Sequence, residues 1–159
     1  MTKIIYLLLL LIILPVEYGY CDDVGYKYYQ KGEFDKAYDI WTKELEDGEP
    51  KAYFNIALLY FFGNGVKKDL YMAFDYCEIA AYKGLPRAQN NLAYMHLKGL
   101  GTEKNYLLAY AWSKIAIENG YNSQLINDDA IINLTPAMMY DANEIYKEIR
   151  REIVDGESN

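Results

Sequence analysis

The feature that most constrains the fold is a set of small residues that recurs every 36 positions. The unit 52–84 and the unit 88–120 match in one register throughout, and chance coincidence cannot supply that in an alanine-rich chain. The matched pairs are Ala52 and Ala88, Asn55 and Asn91, Ala57 and Ala93, Gly63 and Gly99, Gly65 and Gly101, Ala73 and Ala109, Ala80 and Ala116, and Gly84 and Gly120. A shorter unit, 22–48, aligns with them through its second half. The sequence therefore predicts three repeats.

Each repeat has the pattern of two helices. In the second unit, Ile56 and Leu59 follow helical spacing and Gly63 ends the first helix. Asp69 is placed to cap the second helix, whose buried stripe includes Ala80. Alanine recurs where the helices must cross, because a small side chain allows two backbones to approach closely. The predicted fold class is all-α, an α-solenoid of antiparallel helix pairs.

A final helix over 135–154 is predicted to cap the end of the array. Thr135 is a candidate N-cap with Pro136 in the first turn. One apolar stripe then runs along the helix, formed by Ala142, Ile145, Ile149 and Ile153. The polar string before it predicts a linker over 127–134, so the repeat domain covers 22–126.

Residues 1–21 have the pattern of a signal peptide. Lys3 precedes the apolar run 4–14, which is shorter than the roughly 20 residues of a bilayer-spanning helix. Small residues at Gly19 and Cys21 predict cleavage before Asp22 and export to the periplasm or the medium, with no stable membrane span afterwards. Retention of the segment and lipidation of Cys21 remain alternatives.

Charge and cysteine content limit the partners and the chemistry. The formal charge is −7 and the pI about 4.7, which argues against a general nucleic-acid binder and suits a basic partner or simple solubility. After the predicted cleavage one thiol remains, at Cys77. A lone cysteine forms no disulfide within the chain, so we expect a small core residue there.

The repeats resemble the Sel-one-like repeat (SLR) family, a relative of the tetratricopeptide repeats. The resemblance is carried by Ala52, Ile56-Ala57, Tyr60, Gly63-Asn64-Gly65-Val66, Asp69, Ala73, Ala80-Ala81 and Gly84, and again by Ala88 through Gly120 with Trp112 in the aromatic slot. It implies a right-handed solenoid that acts as a scaffold or adaptor without cofactors. The family does not imply a particular ligand.

Catalytic and metal-binding patterns are weak. The single histidine, His96, falls in the tyrosine slot of the repeat, which predicts a hydrogen-bonded core or groove residue rather than a base or ligand. The serines Ser113, Ser123 and Ser158 lie in no nucleophile motif. One cysteine and one histidine cannot complete a zinc shell. We therefore predict a protein that is not an enzyme and holds no metal.

Two short motifs admit a second interpretation. Asp128-Asp129 could meet calcium but lacks spaced ligands, which favours a solvated linker. Asn133-Leu134-Thr135 matches an N-glycosylation sequon, which would be used only in a eukaryotic secretory route. A composition rich in Lys, Ile, Asn and Tyr favours a bacterial source.

The predicted function is that of an exported interaction module that holds another protein or peptide in a concave groove. Solenoids of this class commonly offer the first helices of their pairs to a partner. The groove residues in the family register are Tyr26, Tyr29, Phe54, Asn55, Leu58, Phe61, Asn90, Asn91 and Tyr94. The alternative is an immunity protein that blocks a secreted toxin enzyme. A more distant one is a β-lactam-binding or β-lactam-hydrolysing enzyme, although the paired cysteines of such relatives and a Ser-x-x-Lys site are missing.

Overall fold

A computed structural model describes residues 23–156 of the 159-residue chain. These residues form eight α-helices and no strand. In chain order the helices are α1 Val24–Gln30, α2 Phe34–Glu46, α3 Pro50–Phe62, α4 Leu70–Tyr82, α5 Pro86–Lys98, α6 Tyr106–Glu118, α7 Gln124–Ile131 and α8 Pro136–Gly156. The predicted signal peptide, its cleavage position and Ser158 lie outside the described residues.

The helices pack as three consecutive pairs, α1 with α2, α3 with α4 and α5 with α6. This confirms the predicted solenoid and its register. Small residues fill the crossings as expected, since Ala37, Ala80 and Ala116 are fully buried. One core cluster surrounds Trp41 in the first repeat, and a larger one runs from α3 to α8.

The glycine loops join each repeat to the one before it. Gly63 and Gly99 adopt left-handed backbone conformations, with φ of 75° and 70°, and so end α3 and α5 as predicted. Two residues further on, a Cβ at Gly65 would lie 2.6 Å from the Cβ of Phe34, and a Cβ at Gly101 would lie 1.9 Å from the carbonyl oxygen of Leu70. Phe34 and Leu70 are themselves 36 residues apart. The same loop position therefore contacts the same helix start in both repeats.

The predicted linker 127–134 is wrong over its first half, because α7 continues to Ile131. This short helix is held by burial rather than by propensity. Asn127 is buried and donates a hydrogen bond from Nδ2 to Oγ of Ser113 at 2.9 Å, while Ile126 and Ala130 pack into the core. Asp128 and Asp129 are exposed on the same helix. The true connection to α8 is only a few residues long.

Helix α8 packs along α6, as expected of a capping helix. Its buried stripe contains Ala142, Ile149 and Ile153, with Tyr146 beside it. The hydroxyl of Tyr146 donates to a carboxylate oxygen of Glu118 at 2.6 Å. Within residues 23–156, no helix is both long enough and apolar enough to cross a membrane.

The N-cap predictions are confirmed. The carboxylate of Asp69 accepts hydrogen bonds from the amides of Tyr71 and Met72 at the start of α4. Thr135 accepts one from the amide of Met138 at 3.3 Å, and α8 begins at Pro136. Caps of this kind satisfy amides that have no partner inside the helix.

Candidate partner-binding groove

An open apolar cavity lies between the first helices of the second and third repeats. Helices α3 and α5 form its two walls, and α4 forms its floor. The cavity has a volume of about 20 Å³, enough for roughly one methyl-sized group. Its lining residues are Phe54, Ala57, Leu58 and Phe61 from α3, Ala73 and Cys77 from α4, and Asn91, Tyr94 and Met95 from α5. Asn91 and the phenol of Tyr94 are the polar groups in an otherwise apolar lining.

Five of the nine predicted groove residues meet at this cavity: Phe54, Leu58, Phe61, Asn91 and Tyr94. Phe54 is almost fully buried, whereas Leu58, Phe61, Asn91 and Tyr94 are each partly exposed. Burial also raises the pKa of Tyr94, so its phenol stays protonated and can donate a hydrogen bond. Half-exposed apolar and aromatic side chains beside an amide suit a protein-binding surface.

The floor of the cavity contains residues that the groove prediction missed. Ala73 and Cys77 come from the second helix, and Ala57 and Met95 lie deep on the walls. The available signal was the small-residue stripe of α4, because small side chains at a helix crossing leave space above them. The thiol of Cys77 donates to the carbonyl of Ala88 at 3.4 Å, and burial raises its pKa. Cys77 is therefore an unreactive core residue, as predicted.

Tyr26, Tyr29 and Asn55 form a separate cluster at the start of the solenoid. Asp23 joins two of them, because its carboxylate accepts hydrogen bonds from the amide of Tyr26 at 2.8 Å and from Nδ2 of Asn55 at 3.2 Å. The hydroxyl of Tyr29 accepts a hydrogen bond from Nδ2 of Asn64 at 3.0 Å instead. The ring of Tyr29 packs 5.9 Å from that of Trp41, whose indole nitrogen also donates to Asp23. These side chains fasten α1 to α2 and α3, and none of them lines the cavity.

Asn90 is buried rather than presented to a partner. Its Nδ2 donates to Oδ1 of the neighbouring Asn91 at 3.4 Å. The bond is long, but it restricts the orientation of the Asn91 amide at the cavity. Asn90 therefore supports a lining residue without lining the cavity itself.

His96 is buried beneath the groove wall, as its repeat slot predicted. Its ring packs edge-on against Phe74 with 5.2 Å between centroids. The expectation of a hydrogen-bonded histidine was wrong for one nitrogen, because Nδ1 has no partner among the described residues. Burial without an ionic partner lowers the pKa of His96 to about 4, so the imidazole is neutral at physiological pH.

The described residues assemble no catalytic or metal-binding constellation. Ser113 donates to the carbonyl of Tyr110 at 2.9 Å and accepts from Asn127, so its hydroxyl is used in packing α6 against α7. Across residues 23–156, no three His, Cys, Asp or Glu side chains come close enough to hold a metal ion.

The fold and the groove define a solenoid of tetratricopeptide-like helix pairs. More specifically, the family model of the Sel1 repeat matches residues 50–85 and 86–121. The chain therefore carries two Sel1 repeats, which confirms the resemblance seen in the sequence. Both matched segments begin at the proline that opens a first helix, and together they enclose the cavity.

Two solved bacterial structures are similar to this chain. One is a protective antigen of uropathogenic Escherichia coli that displays an SLR fold, with 29% identity, a TM-score of 0.78, and coverage of 82% of this chain and 29% of that one. The other is a Sel1 repeat protein from Oxalobacter formigenes, with 33% identity, a TM-score of 0.57, and coverage of 61% of this chain and 42% of that one. The chain thus spans less than half the length of either. No curated protein matches it.

Sel1 repeats generally mediate protein–protein interactions and are typically not catalytic.

Proposed function

We propose that this protein is an exported, non-catalytic interaction module that holds a segment of another protein against the cavity between α3 and α5. The observation that carries the proposal is the convergence of Leu58, Phe61 and Tyr94, all partly exposed, around one apolar cavity. Side chains already fixed by a rigid helical frame lose little entropy on binding. A partner side chain that fills the cavity would be the anchor of the complex.

The size of the cavity favours a helix or an extended peptide over a small molecule. A volume of about 20 Å³ cannot enclose a metabolite, because ligand pockets usually measure hundreds of Å³. A protein segment needs only one anchor in such a hollow and can spread over the neighbouring helix faces. The amide of Asn91 and the hydroxyl of Tyr94 would then bind its polar groups.

Export is proposed from the sequence alone, on the pattern of residues 1–21. N-terminal sequencing of the exported protein should return Asp22 as the first residue. Recovery of intact Met1 from the membrane fraction would overturn this part of the proposal.

The binding proposal is tested by affinity capture from an extracytoplasmic extract of the source organism. The bait is wild type or the double variant Phe61→Ala/Tyr94→Ala, and the control Tyr71→Ala/Leu125→Ala removes two side chains that are 74% exposed and lie away from the cavity. The partner should be recovered with the wild type and the control but depleted with the groove variant. Each groove substitution should weaken binding by about 1–3 kcal/mol if it removes a hot spot. Equal recovery by all three baits would contradict the proposal.

The immunity-protein alternative predicts the same groove but a particular kind of partner. The captured protein would then be a toxin enzyme, and this chain would block its activity in a purified mixture. Capture of a partner without enzymatic activity would favour the scaffold.

A further inference from the structure

The second helices of the three pairs, α2, α4 and α6, differ in what covers their outer face. On α6 this face is covered by α8, which packs along it. The hydroxyl of Tyr110 and Nζ of Lys114 each donate a hydrogen bond to Oδ1 of Asn143 on α8 at 3.1 Å. Ala111 and Ile115, on the same side of α6, are buried.

The equivalent face is open on α4. The contacts of α8 extend over positions 110–118 of α6, which correspond in the 36-residue register to positions 74–82 of α4. Asp75 and Ile79 occupy the two places that are buried on α6, yet Asp75 is exposed and Ile79 is 40% exposed. Tyr82, at the end of the span, is 38% exposed. Helix α4 therefore leaves apolar side chains uncovered where α6 has them covered.

Helix α2 shows the composition of this face in a repeat where it is adapted to water. The residues at the four corresponding positions are all exposed and polar or charged: Asp39, Thr42, Lys43 and Glu46. A solvated helix face normally has this composition. An isoleucine and a tyrosine at the last two of these positions in α4 therefore favour a face that a further element covers.

The open face of α4 continues into the end of α8. A cavity of about 540 Å³ lies between the two helices. Its lining residues are Glu78, Ile79 and Tyr82 of α4, Glu152 and Gly156 of α8, and Pro50 and Lys83. A helix laid on α4 would fill this cavity and lie beside α8, so it would extend a packing layer that the chain already has on α6.

Charge selects the kind of helix that fits. At the centre of the covered face of α6 is Lys114, whose Nζ lies 4.1 Å from the ring centroid of Tyr146 on α8. The same position of α4 is Glu78, with Asp75 on the same face and Glu152 lining the cavity from α8. Burial and the neighbouring charge of Asp75 both raise the pKa of Glu78, so a cation on a covering helix would stabilise its ionised form.

The cations around the cavity leave this negative charge in place. Nζ of Lys83, which lines the cavity, lies 5.5 Å from the ring centroid of Tyr53 on α3. At the start of α3, Glu49 and Lys51 carry opposite charges and offset each other. Two cations at neighbouring helix ends do not line the cavity: Arg87 and Arg151. The carboxylates of the face and of the cavity therefore outnumber the lining cation.

From this arrangement we infer that the outer face of α4 binds a basic amphipathic helix of a partner protein. Apolar side chains of that helix pack on Ile79 and Tyr82, and a Lys or Arg lies opposite Glu78. The bound helix lies on α4 as α8 lies on α6, with the sign of the central charge reversed. Complementary charge of this kind increases the association rate and excludes partners of the wrong sign. Tyr71 precedes the covered span and is not part of this face.

This surface is separate from the groove between α3 and α5. Ala73 and Cys77 of α4 line the groove cavity, whereas Glu78, Ile79 and Tyr82 line the cavity beside α8. Two partners could therefore bind at once, one on each side of α4.

The test selects binders from a yeast-displayed library of random peptides of about eighteen residues, long enough for roughly five helical turns. The selection uses the wild-type protein and removes peptides that also bind Ile79→Ser. The surviving peptides should carry an excess of Lys and Arg beside apolar residues at helical spacing. Survivors that are neutral or acidic would overturn the inference, as would the absence of any peptide that depends on Ile79. Peptides that bind the groove also bind Ile79→Ser and are removed, so neither result bears on the proposed function.

Charge reversal then locates the interaction. At low salt, Asp75→Lys/Glu78→Lys should weaken the best selected peptide by about tenfold or more, and the effect should shrink at high salt. The control Asp39→Lys/Glu46→Lys makes the same change of charge on the outer face of α2 and should shift affinity less than about twofold. Equal effects of the two pairs would overturn the inference. If the α4 pair fails to fold by circular dichroism, Glu78→Gln should still weaken binding where Glu46→Gln does not.

A second copy of the chain is the other occupant that the test must expose. Sedimentation velocity of the purified protein should show the same species for the wild type and for Ile79→Ser. A dimer that forms in the wild type and is lost in Ile79→Ser would overturn the assignment of a partner helix to this face.

Discussion

The two Sel1 repeats share their backbone devices and differ in the side chains beneath the groove. Gly63 and Gly99 end the first helices in the same left-handed conformation. Asp69 and Asn105 cap the second helices, and each accepts hydrogen bonds from two backbone amides. Charge is not needed at this cap, because the carboxylate and the amide oxygen accept the same bonds. The repeat register therefore specifies backbone conformation more strictly than side-chain chemistry.

The difference lies at Tyr60 and His96, which occupy the same slot. Tyr60 is hydrogen-bonded to Tyr38, and this bond raises the pKa of Tyr60 to about 12. In the next repeat Phe74 replaces Tyr38 and offers His96 only a ring edge. At this slot the second repeat thus has a hydrogen-bonded pair of tyrosines, whereas the third repeat buries Nδ1 of His96 without a hydrogen-bond partner among the described residues. The comparison teaches that equivalent positions can differ in their response to pH.

The largest expected effect comes from breaking the shared loop contact. Gly101 has φ of +70° and a Cβ there would lie 1.9 Å from the backbone oxygen of Leu70, whereas Gly120 has φ of +83° with open space around it. Gly120→Ala should cost about 1 kcal/mol of unfolding free energy for its backbone conformation alone. Gly101→Ala should cost about 2–4 kcal/mol because the clash is added. Urea unfolding monitored by circular dichroism measures both, and equal losses would mean that the repeats are not joined through this loop.

Most of the fold was predictable because repetition fixes many positions at once. The register placed Gly63, Asp69 and Ala80 in their observed roles without any knowledge of tertiary contacts. It failed at α7, whose sequence is polar and which falls outside the register. That helix depends on the buried hydrogen bond between Asn127 and Ser113, which joins residues 14 positions apart. Local pattern does not contain such a contact.

The second-largest effect is a pH dependence of stability that His96 gives to the third repeat and that Tyr60 does not give to the second. Folding lowers the pKa of His96 from its ordinary value near 6.5 to about 4, so the unfolded chain binds the proton more readily. The contribution of the buried neutral imidazole to the unfolding free energy is fully present above pH 6.5. It is lost progressively as the pH falls from 6.5 toward 4. At pH 5 this pKa difference should make the unfolding free energy about 2 kcal/mol lower than it is at neutral pH.

The matched variant is His96→Tyr/Phe74→Tyr, which copies the Tyr60 and Tyr38 pair into the third repeat. Its unfolding free energy should fall less between pH 7.5 and pH 5 than that of the wild type, by about the same 2 kcal/mol. The two proteins share every carboxylate, so general acid effects cancel. Identical pH profiles would show that His96 does not titrate in this range on unfolding.

The smallest expected effect concerns the N-cap that the two repeats share. Asp69→Ala and Asn105→Ala should each lower the unfolding free energy by about 1 kcal/mol, whereas Asp69→Asn should be close to neutral. Lys67→Ala provides an exposed control in the same loop. A large loss in Asp69→Asn would mean that the carboxylate has a role beyond capping.

The site was less predictable than the fold. The register identified residues that line the cavity, including Leu58 and Tyr94, because one helix face repeats with the units. Their role in binding a partner stays a prediction. The register could not distinguish these lining residues from Tyr29 and Asn55, whose side chains pack within the first repeat and against α3. Whether an aromatic residue faces a partner or a neighbouring helix depends on where the array of repeats begins. At that end of this chain, Asp23 accepts hydrogen bonds from Tyr26 in α1 and Asn55 in α3 and so links the two helices.

The central claim, that a partner occupies the cavity between α3 and α5, is tested most directly by site-specific photocrosslinking. A benzophenone amino acid is placed at Leu58, inside the cavity, and in separate proteins at Tyr71 or Ile132, which are 74% and 77% exposed and lie outside it. Irradiation of the exported protein in its source cells should join the partner to position 58 and leave the other two positions unlinked. Adducts at Tyr71 or Ile132 with none at Leu58 would contradict the account.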